Sequence, residues 1–225
     1  MRVLHHWPLD PYSRQARLAL AEKSLRFEPR AVSPWDRPDE LLALNPGGLT
    51  PVLVDESGGG KRVIIEARAI LEYLEETTPN PCLLPGGPAE RAEARRLLDW
   101  FDRKYDAEVN AFLLHEKLEK RLTGEGAPDP AAIRAGRDHM RWHFEHMAFL
   151  LESRDGLAGP RYTLADIAAA AHLSVADYLG EAPWDAFEPV KAWYQRVKCR
   201  PAFRDLLEDR LPGVEAAAHY ADLDF

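Results

Sequence analysis

The chain has 225 residues, of which 46% are hydrophobic, so it can bury one large core or two ordinary ones. It carries 37 acidic and 29 basic side chains, a formal net charge of -8. This balance argues against an extended nucleic-acid footprint, which needs Lys and Arg to neutralise phosphates. We therefore expect a globular protein without a nucleic-acid partner.

The two cysteines, Cys82 and Cys199, lie far apart in the sequence and have no CxxC or ligand spacing. They indicate neither a disulfide framework nor a metal site. The N-terminal segment reaches a turn signal too early for a signal peptide, and no apolar run approaches the roughly 20 residues that span a bilayer. We expect a cytoplasmic protein with no metal and no membrane partner.

The first part of the chain alternates strand and helix signals. Residues 2–7 form a predicted strand, and Asp10-Pro11 supplies an N-cap followed by proline at the first helical position. A second predicted strand, a short helical turn, a hairpin around the glycines at 58–60 and a helix opened by Glu66 follow. The predicted order is β-α-β-α-β-β-α.

Four prolines and two glycines between Pro79 and Pro88 mark a linker, after which helical periods replace the turn signals. Two long helices are predicted at about 89–122 and 131–153, each with an apolar stripe on one face. Thr163 and Asp166 have the spacing of a capping box and predict a third helix. That helix is rich in small residues, so we expect it to be buried.

The predicted organisation is therefore an α/β domain at 1–79, an all-helical domain at 89–210 and a tail at 211–225. Four motifs give this organisation a resemblance to a known family. They are Pro11-Tyr-Ser-Arg with Arg17-Leu-Ala-Leu, Asn45-Pro-Gly-Gly-Leu-Thr-Pro-Val-Leu, Ile65-Glu-Ala-Arg-Ala-Ile-Leu-Glu-Tyr-Leu, and Tyr162-Thr-Leu-Ala-Asp-Ile. In this order and at these separations, the chain resembles the glutathione-transferase superfamily over nearly its whole length.

The resemblance implies a thioredoxin-like N-terminal domain, an all-α C-terminal domain and a homodimer in which Arg68 would act as a clamp. It also implies a cis bond at Thr50-Pro51, whose exposed backbone would pair with glutathione. Glu66 and Ala67 match the pair that holds the γ-glutamyl group, although the usual Ser or Thr hydroxyl is missing at Ala67. Losing one such hydrogen bond costs on the order of 1 kcal/mol.

Ser13 matches the position of the catalytic hydroxyl in serine-type members of the family. A hydroxyl donor at the positive end of a helix dipole would favour the glutathione thiolate. Alternatively, Ser13 simply satisfies amides of the first helical turn, as serine does in many helices. The sequence leaves both alternatives open.

The C-terminal half resembles more closely an alphaproteobacterial division-factor branch of the superfamily, which is implicated in binding the tubulin-like protein FtsZ. The matching segments include Ile133-Arg-Ala-Gly, Asp177-Tyr-Leu-Gly and the end His219-Tyr-Ala-Asp-Leu-Asp-Phe. The resemblance implies FtsZ as a partner, the division site as a location, and no catalysis or cofactor. The alternative is a transferase that conjugates glutathione, as a substrate, to small electrophiles.

A basic ridge beside the apolar stripe of the second long helix is compatible with partner binding. Its members are Arg134, Arg137 and Arg141, joined by Lys117, Lys120 and Arg121 from the end of the preceding helix. Such a ridge in an acidic protein could recognise an acidic partner. The alternative is a solvated helix face paired with nearby glutamates.

Three aromatic residues are further candidates for partner contacts. Trp35 lies in a proline-rich loop, as a lid over the ligand cleft or as an exposed anchor. Tyr220 and Phe225 lie in the tail, which alternates aromatic and acidic residues. They should either pack on their own domain or engage a partner.

Overall fold

The computed structural model describes all 225 residues and begins with a four-stranded mixed sheet of order β2-β1-β3-β4. β1 runs parallel to β2 and antiparallel to β3, which pairs with β4 in a hairpin. The strands are β1 (Arg2–His6), β2 (Glu28–Ala31), β3 (Val52–Asp55) and β4 (Arg62–Ile65), and the helices between and after them are α1 (Pro11–Glu22), α2 (Asp39–Leu44) and α3 (Ala67–Thr77). The predicted β-α-β-α-β-β-α order is confirmed.

The two faces of the sheet are covered unequally. Successive residues of a strand point to opposite faces, and Leu4 and Leu53 are buried in the main core with residues of α1 and α3. Val3 and Val54, which pair across the sheet, lie on the other face, where α2 packs. One face therefore carries two helices and the other only the short α2.

The first predicted long helix is continuous over residues 88–123 and is called α4. It is α-helical at Pro88–Asp99, Ala111–Leu114 and Lys120–Thr123, but it has wider π-type turns at Trp100–Asn110 and His115–Glu119. The sequence did not indicate these turns. The apolar residues of this segment are spaced by about four. This spacing is slightly longer than one turn of an α-helix and slightly shorter than one π-type turn, so the pattern fits both.

The C-terminal part is completed by three long helices and one short helix. They are α5 (Pro130–Leu151), α6 (Leu164–Tyr178), α7 (Glu188–Lys198) and α8 (Arg204–Leu207). α5 approaches α4 closely at Gly136, where an added Cβ would lie 2.9 Å from Leu113 Cγ. The mixed-sheet first part and the helical remainder confirm the predicted fold class. None of these helices combines the length and apolarity that crossing a bilayer requires.

Arg14 joins the two parts of the molecule. Its guanidinium is fully buried and donates to the Pro8 carbonyl, to Ser174 Oγ (2.7 Å) and to Asp209 Oδ2 (3.0 Å). Arg17 binds the same carboxylate at 2.8 and 3.0 Å. Two arginines of α1 thus hold an aspartate from the far end of the chain.

The α6 helix has no exposed residue, as its small-residue composition predicted. The predicted capping box is present, and the buried Asp166 carboxylate accepts hydrogen bonds from the Thr163 and Leu157 amides and from Trp193 Nε1, at 2.8–2.9 Å. Burial raises the pKa of Asp166, while these donors oppose the increase. The carboxylate therefore organises a loop, a helix start and a neighbouring helix together.

We predict that Asp166→Ala lowers the free energy of unfolding by at least about 3 kcal/mol, because it leaves several buried donors without a partner. Urea denaturation measures this change. Glu152→Ala is the control, because Glu152 is exposed and its side chain makes no ion pair or hydrogen bond. Equal urea midpoints for the two variants would contradict the prediction.

Candidate functional site

A cleft of about 380 Å³ lies where the first part of the chain meets α4. Its walls come from the first turn of α1, the turn before β3, the start of α3 and the middle of α4. The lining residues are Tyr12, Asn45, Leu49, Thr50, Pro51, Glu66, Ala67, Arg68, Asp99, Asp102 and Arg103. The structure thus brings together four of the five residues predicted for glutathione, and Ser13 is not in the lining.

The turn before β3 exposes a backbone edge to the cleft. The Thr50–Pro51 bond is cis, as predicted, and so is Asn80–Pro81, which the sequence did not indicate. Asn45 holds the preceding loop by accepting from the Gly47 amide and donating to the Leu49 carbonyl, both at 2.9 Å. The Thr50 amide makes no hydrogen bond within the chain, so it is available to a ligand in the cleft.

Glu66 and Ala67 lie at the start of α3, directly beside the turn, since the Glu66 amide donates to the Pro51 carbonyl at 3.2 Å. Glu66 has a φ of 75° and a ψ of 141°, a sparsely populated backbone conformation that costs a non-glycine residue on the order of 1–3 kcal/mol. Its side chain is exposed and makes no ion pair, so a ligand could use the carboxylate. Ala67 is buried and offers only a methyl group, which leaves the pair with one polar side chain.

Ser13 is fully buried beneath the cleft. Its hydroxyl donates to Asp10 Oδ2 at 2.6 Å and accepts from the Trp7 amide at 3.1 Å. Asp10 also caps α1 by accepting from the Tyr12 and Ser13 amides. Ser13 therefore has the local structural role in this conformation, and its donor is not directed at a thiol.

The hydrogen bond from the Ser13 hydroxyl to Asp10 is favoured because the Asp10 carboxylate is shielded from water. Burial raises the pKa of Asp10 to about 6, although hydrogen bonds from Ser13, Tyr12 and Thr50 oppose the increase. A buried carboxylate that lost one of these donors would be destabilised further. Rotation of the Ser13 hydroxyl toward the cleft is thus opposed by the desolvated carboxylate below it.

A buried polar network supports the α4 wall, and sequence reasoning missed it. Asp102 Oδ1 accepts from Gln15 Nε2 at 2.6 Å and from His172 Nε2 at 3.2 Å, and Asn110 Nδ2 donates to His172 Nδ1 at 2.7 Å. These partners assign the neutral His172 tautomer with its proton on Nε2. The Tyr12 hydroxyl donates to the Asp102 carbonyl at 2.6 Å. No local motif links residues this far apart in the sequence.

Arg68, the predicted dimer clamp, lies at the rim of the cleft. It pairs with Asp99 of its own chain at 3.0 Å, and Arg103 approaches the same carboxylate at 3.4 Å. These pairs are substantially exposed, so each contributes little to stability. The two arginines of the cleft, Arg68 and Arg103, are therefore both paired with Asp99.

The six basic residues of the ridge divide into two groups. Arg121, Arg134 and Arg141 are exposed and make no ion pair. Arg137 donates to both Glu181 oxygens at 2.6 and 3.0 Å, Lys117 binds the same carboxylate, and Lys120 binds Glu116. Half of the ridge is thus paired with glutamates, and three arginines remain free for a partner.

The C-terminal tail is docked on its own domain. The Tyr220 ring is fully buried against Tyr178, its hydroxyl donates to the Leu206 carbonyl, and His219 Nε2 lies 2.9 Å from Asp177 Oδ1. The prediction that Tyr220 contacts a partner therefore needs correction, because the ring has no exposed surface. The alternation of aromatic and acidic residues in the tail did not predict which side chains are buried, because the tail has no regular secondary structure.

Phe225 is partly exposed beside the ridge. The Lys198 ammonium lies 4.1 Å from the centre of its ring. With Trp184, Phe225 lines a groove of about 500 Å³ that also includes Arg141, Lys191 and His219. This tail groove places an aromatic wall next to one of the free arginines.

Trp35 is 37% exposed and does not line the cleft. Its ring packs edge-on against Trp7, with centroids 4.8 Å apart. Of the two predicted roles for this residue, the structure therefore favours an exposed surface position over a lid.

Family comparisons match both parts of the chain. The model of the glutathione S-transferase N-terminal domain matches residues 11–77, and the model of the C-terminal domain matches residues 141–201. These matches agree with the mixed sheet and the helical remainder.

Similar proteins extend the match to the whole chain. FtsZ-localized protein A from Caulobacter vibrioides is 59% identical over 224 residues, covering 100% of this chain and 98% of the relative. The structure of FzlA from C. crescentus has a TM-score of 0.98 at 59% identity, with 100% of this chain and 99% of that chain covered. A structure described as a glutathione S-transferase from Rhodospirillum rubrum has a TM-score of 0.96 at 47% identity and full coverage of both chains.

These matches confirm the resemblance to the superfamily. They also confirm the closer resemblance to its division-factor branch, which the C-terminal motifs indicated. Because family models match both parts of the chain and a relative is 59% identical over its full length, the chain belongs to the glutathione S-transferase superfamily.

Proposed function

We propose that this chain binds FtsZ filaments at the division site and regulates cell division without catalysing glutathione transfer. The observation that carries the proposal is its 59% identity, over the whole chain, to a protein named for its localisation to FtsZ. The commitment of the Ser13 hydroxyl to Asp10 supports the absence of catalysis. A cytoplasmic location is part of the proposal.

The free arginines are the best candidates for the contact. Arg121, Arg134 and Arg141 are exposed and make no ion pair, in a chain whose net charge is -8. Complementary charge accelerates and orients the association of proteins. The tail groove beside Arg141 adds aromatic surface, which is typical of binding hot spots.

We predict that the double variant Arg134→Glu with Arg141→Glu reduces binding to FtsZ filaments by more than about tenfold, since each reversed contact costs about 1 kcal/mol. Co-pelleting with GTP-assembled FtsZ measures the bound fraction. Arg26→Glu is the matched control, because Arg26 is exposed and unpaired but belongs to the first part of the chain. Absence of the unmodified protein from the polymer pellet would overturn the proposal.

Glutathione transfer is the second candidate, and the cleft is the observation that favours it. The cis Thr50–Pro51 turn, the free Thr50 amide and the unpaired Glu66 carboxylate would all suit glutathione. Under our proposal, the protein gives no turnover of a model electrophile at millimolar glutathione. Heat of glutathione binding in calorimetry, together with turnover that Ser13→Ala abolishes, would establish the transferase instead.

A homodimer is part of either function, and α5 presents a surface suited to it. Trp142 and Phe149 are 46% and 67% exposed and lie seven residues apart, on one side of the helix. Trp142 also stacks on Trp100 of α4, with centroids 5.5 Å apart. Exposed apolar patches mark interaction sites, and a two-fold axis would place this α5 patch against itself.

We predict that Trp142→Glu with Phe149→Glu yields a monomer, because opposed carboxylates would replace apolar contacts. Solution scattering measures the mass of each variant. Leu122→Glu is the control, because Leu122 is similarly exposed at 38% but lies outside the α5 patch. A monomeric mass for the unmodified chain would refute the dimer.

A further inference from the structure

The outer face of the sheet holds a cavity of about 350 Å³, separate from the cleft. Val3, His5 and Val54 form its floor, since Val3 and His5 share one face of β1 and Val54 is the partner of Val3. The six residues of α2 are about 9 Å long, whereas four strands are about 14 Å wide. The helix therefore covers only part of this face.

His5 is the polar group of this sheet cavity. It is 3% exposed, and its ring makes no hydrogen bond within the chain, whereas the rings of His143 and His172 are bonded through both nitrogens. Burial lowers the pKa of His5, so the neutral ring offers one donor and one acceptor at neutral pH.

The rim of the sheet cavity favours no sign of charge. Arg30 is bound by Glu28 and Glu40, and the unpaired Glu56 and Lys61 have opposite charges at the base of the β3–β4 hairpin. Ala43 and Leu44 of α2 form an apolar wall. A charged ligand would lose hydration against this wall and would meet charges of both signs at the rim, so neither an anion nor a cation is favoured.

We propose that the sheet cavity binds a small neutral aromatic molecule that carries one hydroxyl group. The ring packs between Val3, Val54 and α2, and the hydroxyl forms a hydrogen bond with His5. The volume lies at the lower end of the range for small-molecule sites, which combine apolar walls with a few polar groups. This site is independent of FtsZ binding and of the cleft.

The probe for this proposal is 2-naphthol, with binding followed through the NMR resonances of the His5 ring. We expect saturable one-to-one binding that shifts these resonances. Ala43→Trp, which fills the cavity from an exposed position, should abolish binding, and His5→Phe should weaken it about fivefold, the effect of one neutral hydrogen bond. The matched control Ala69→Trp alters an exposed alanine of α3 and should bind as the unmodified chain does.

Two results would overturn the proposal. One is the absence of any His5 shift at millimolar 2-naphthol. The other is equal affinity of the unmodified chain and Ala43→Trp, which would place the ligand elsewhere. If His5→Phe does not fold, the comparison of Ala43→Trp with Ala69→Trp tests the proposal by itself, because both alanines are exposed on helix surfaces.

Discussion

The complete burial of α6 is the constraint on which the rest of the structure depends. No residue of this helix reaches solvent, so each of its polar side chains must find a partner inside the protein. Asp166 binds the loop before the helix and Trp193, His172 supports the cleft through Asp102, and Ser174 receives Arg14. Asp177 binds the tail and Lys198. Four side chains on one helix therefore position four different parts of the molecule.

The cleft keeps the backbone turn of the family site, while the Ser13 hydroxyl beneath it is bound within the chain. Its backbone turn and the Glu66 carboxylate are in place, yet the Ser13 hydroxyl is held by Asp10 at the N-terminus of α1. The same aspartate binds Thr50 of the turn, so a single carboxylate connects the first turn of α1 with the turn before β3.

The features that could be predicted from the sequence are those with local signals. Strand alternation, the Asp10-Pro11 start of α1 and the capping box of α6 each depend on residues within one turn or one strand, and the turn at Thr50–Pro51 followed from its family motif. The direction of the Ser13 hydroxyl could not be predicted, because capping and catalysis need the same residue in the same place. The network of Asp102 and His172 joins residues 70 positions apart, and the pairing of Arg137 with Glu181 spans 44. Contacts at such separations depend on the tertiary fold, which no short pattern records.

Arg14 has a consequence for how the molecule unfolds. Its guanidinium lies inside the interface and is bound by groups from both parts of the chain. Separating the two parts would remove the partners of this buried charge, which is strongly destabilising. We therefore expect the two parts to unfold together, in one cooperative transition.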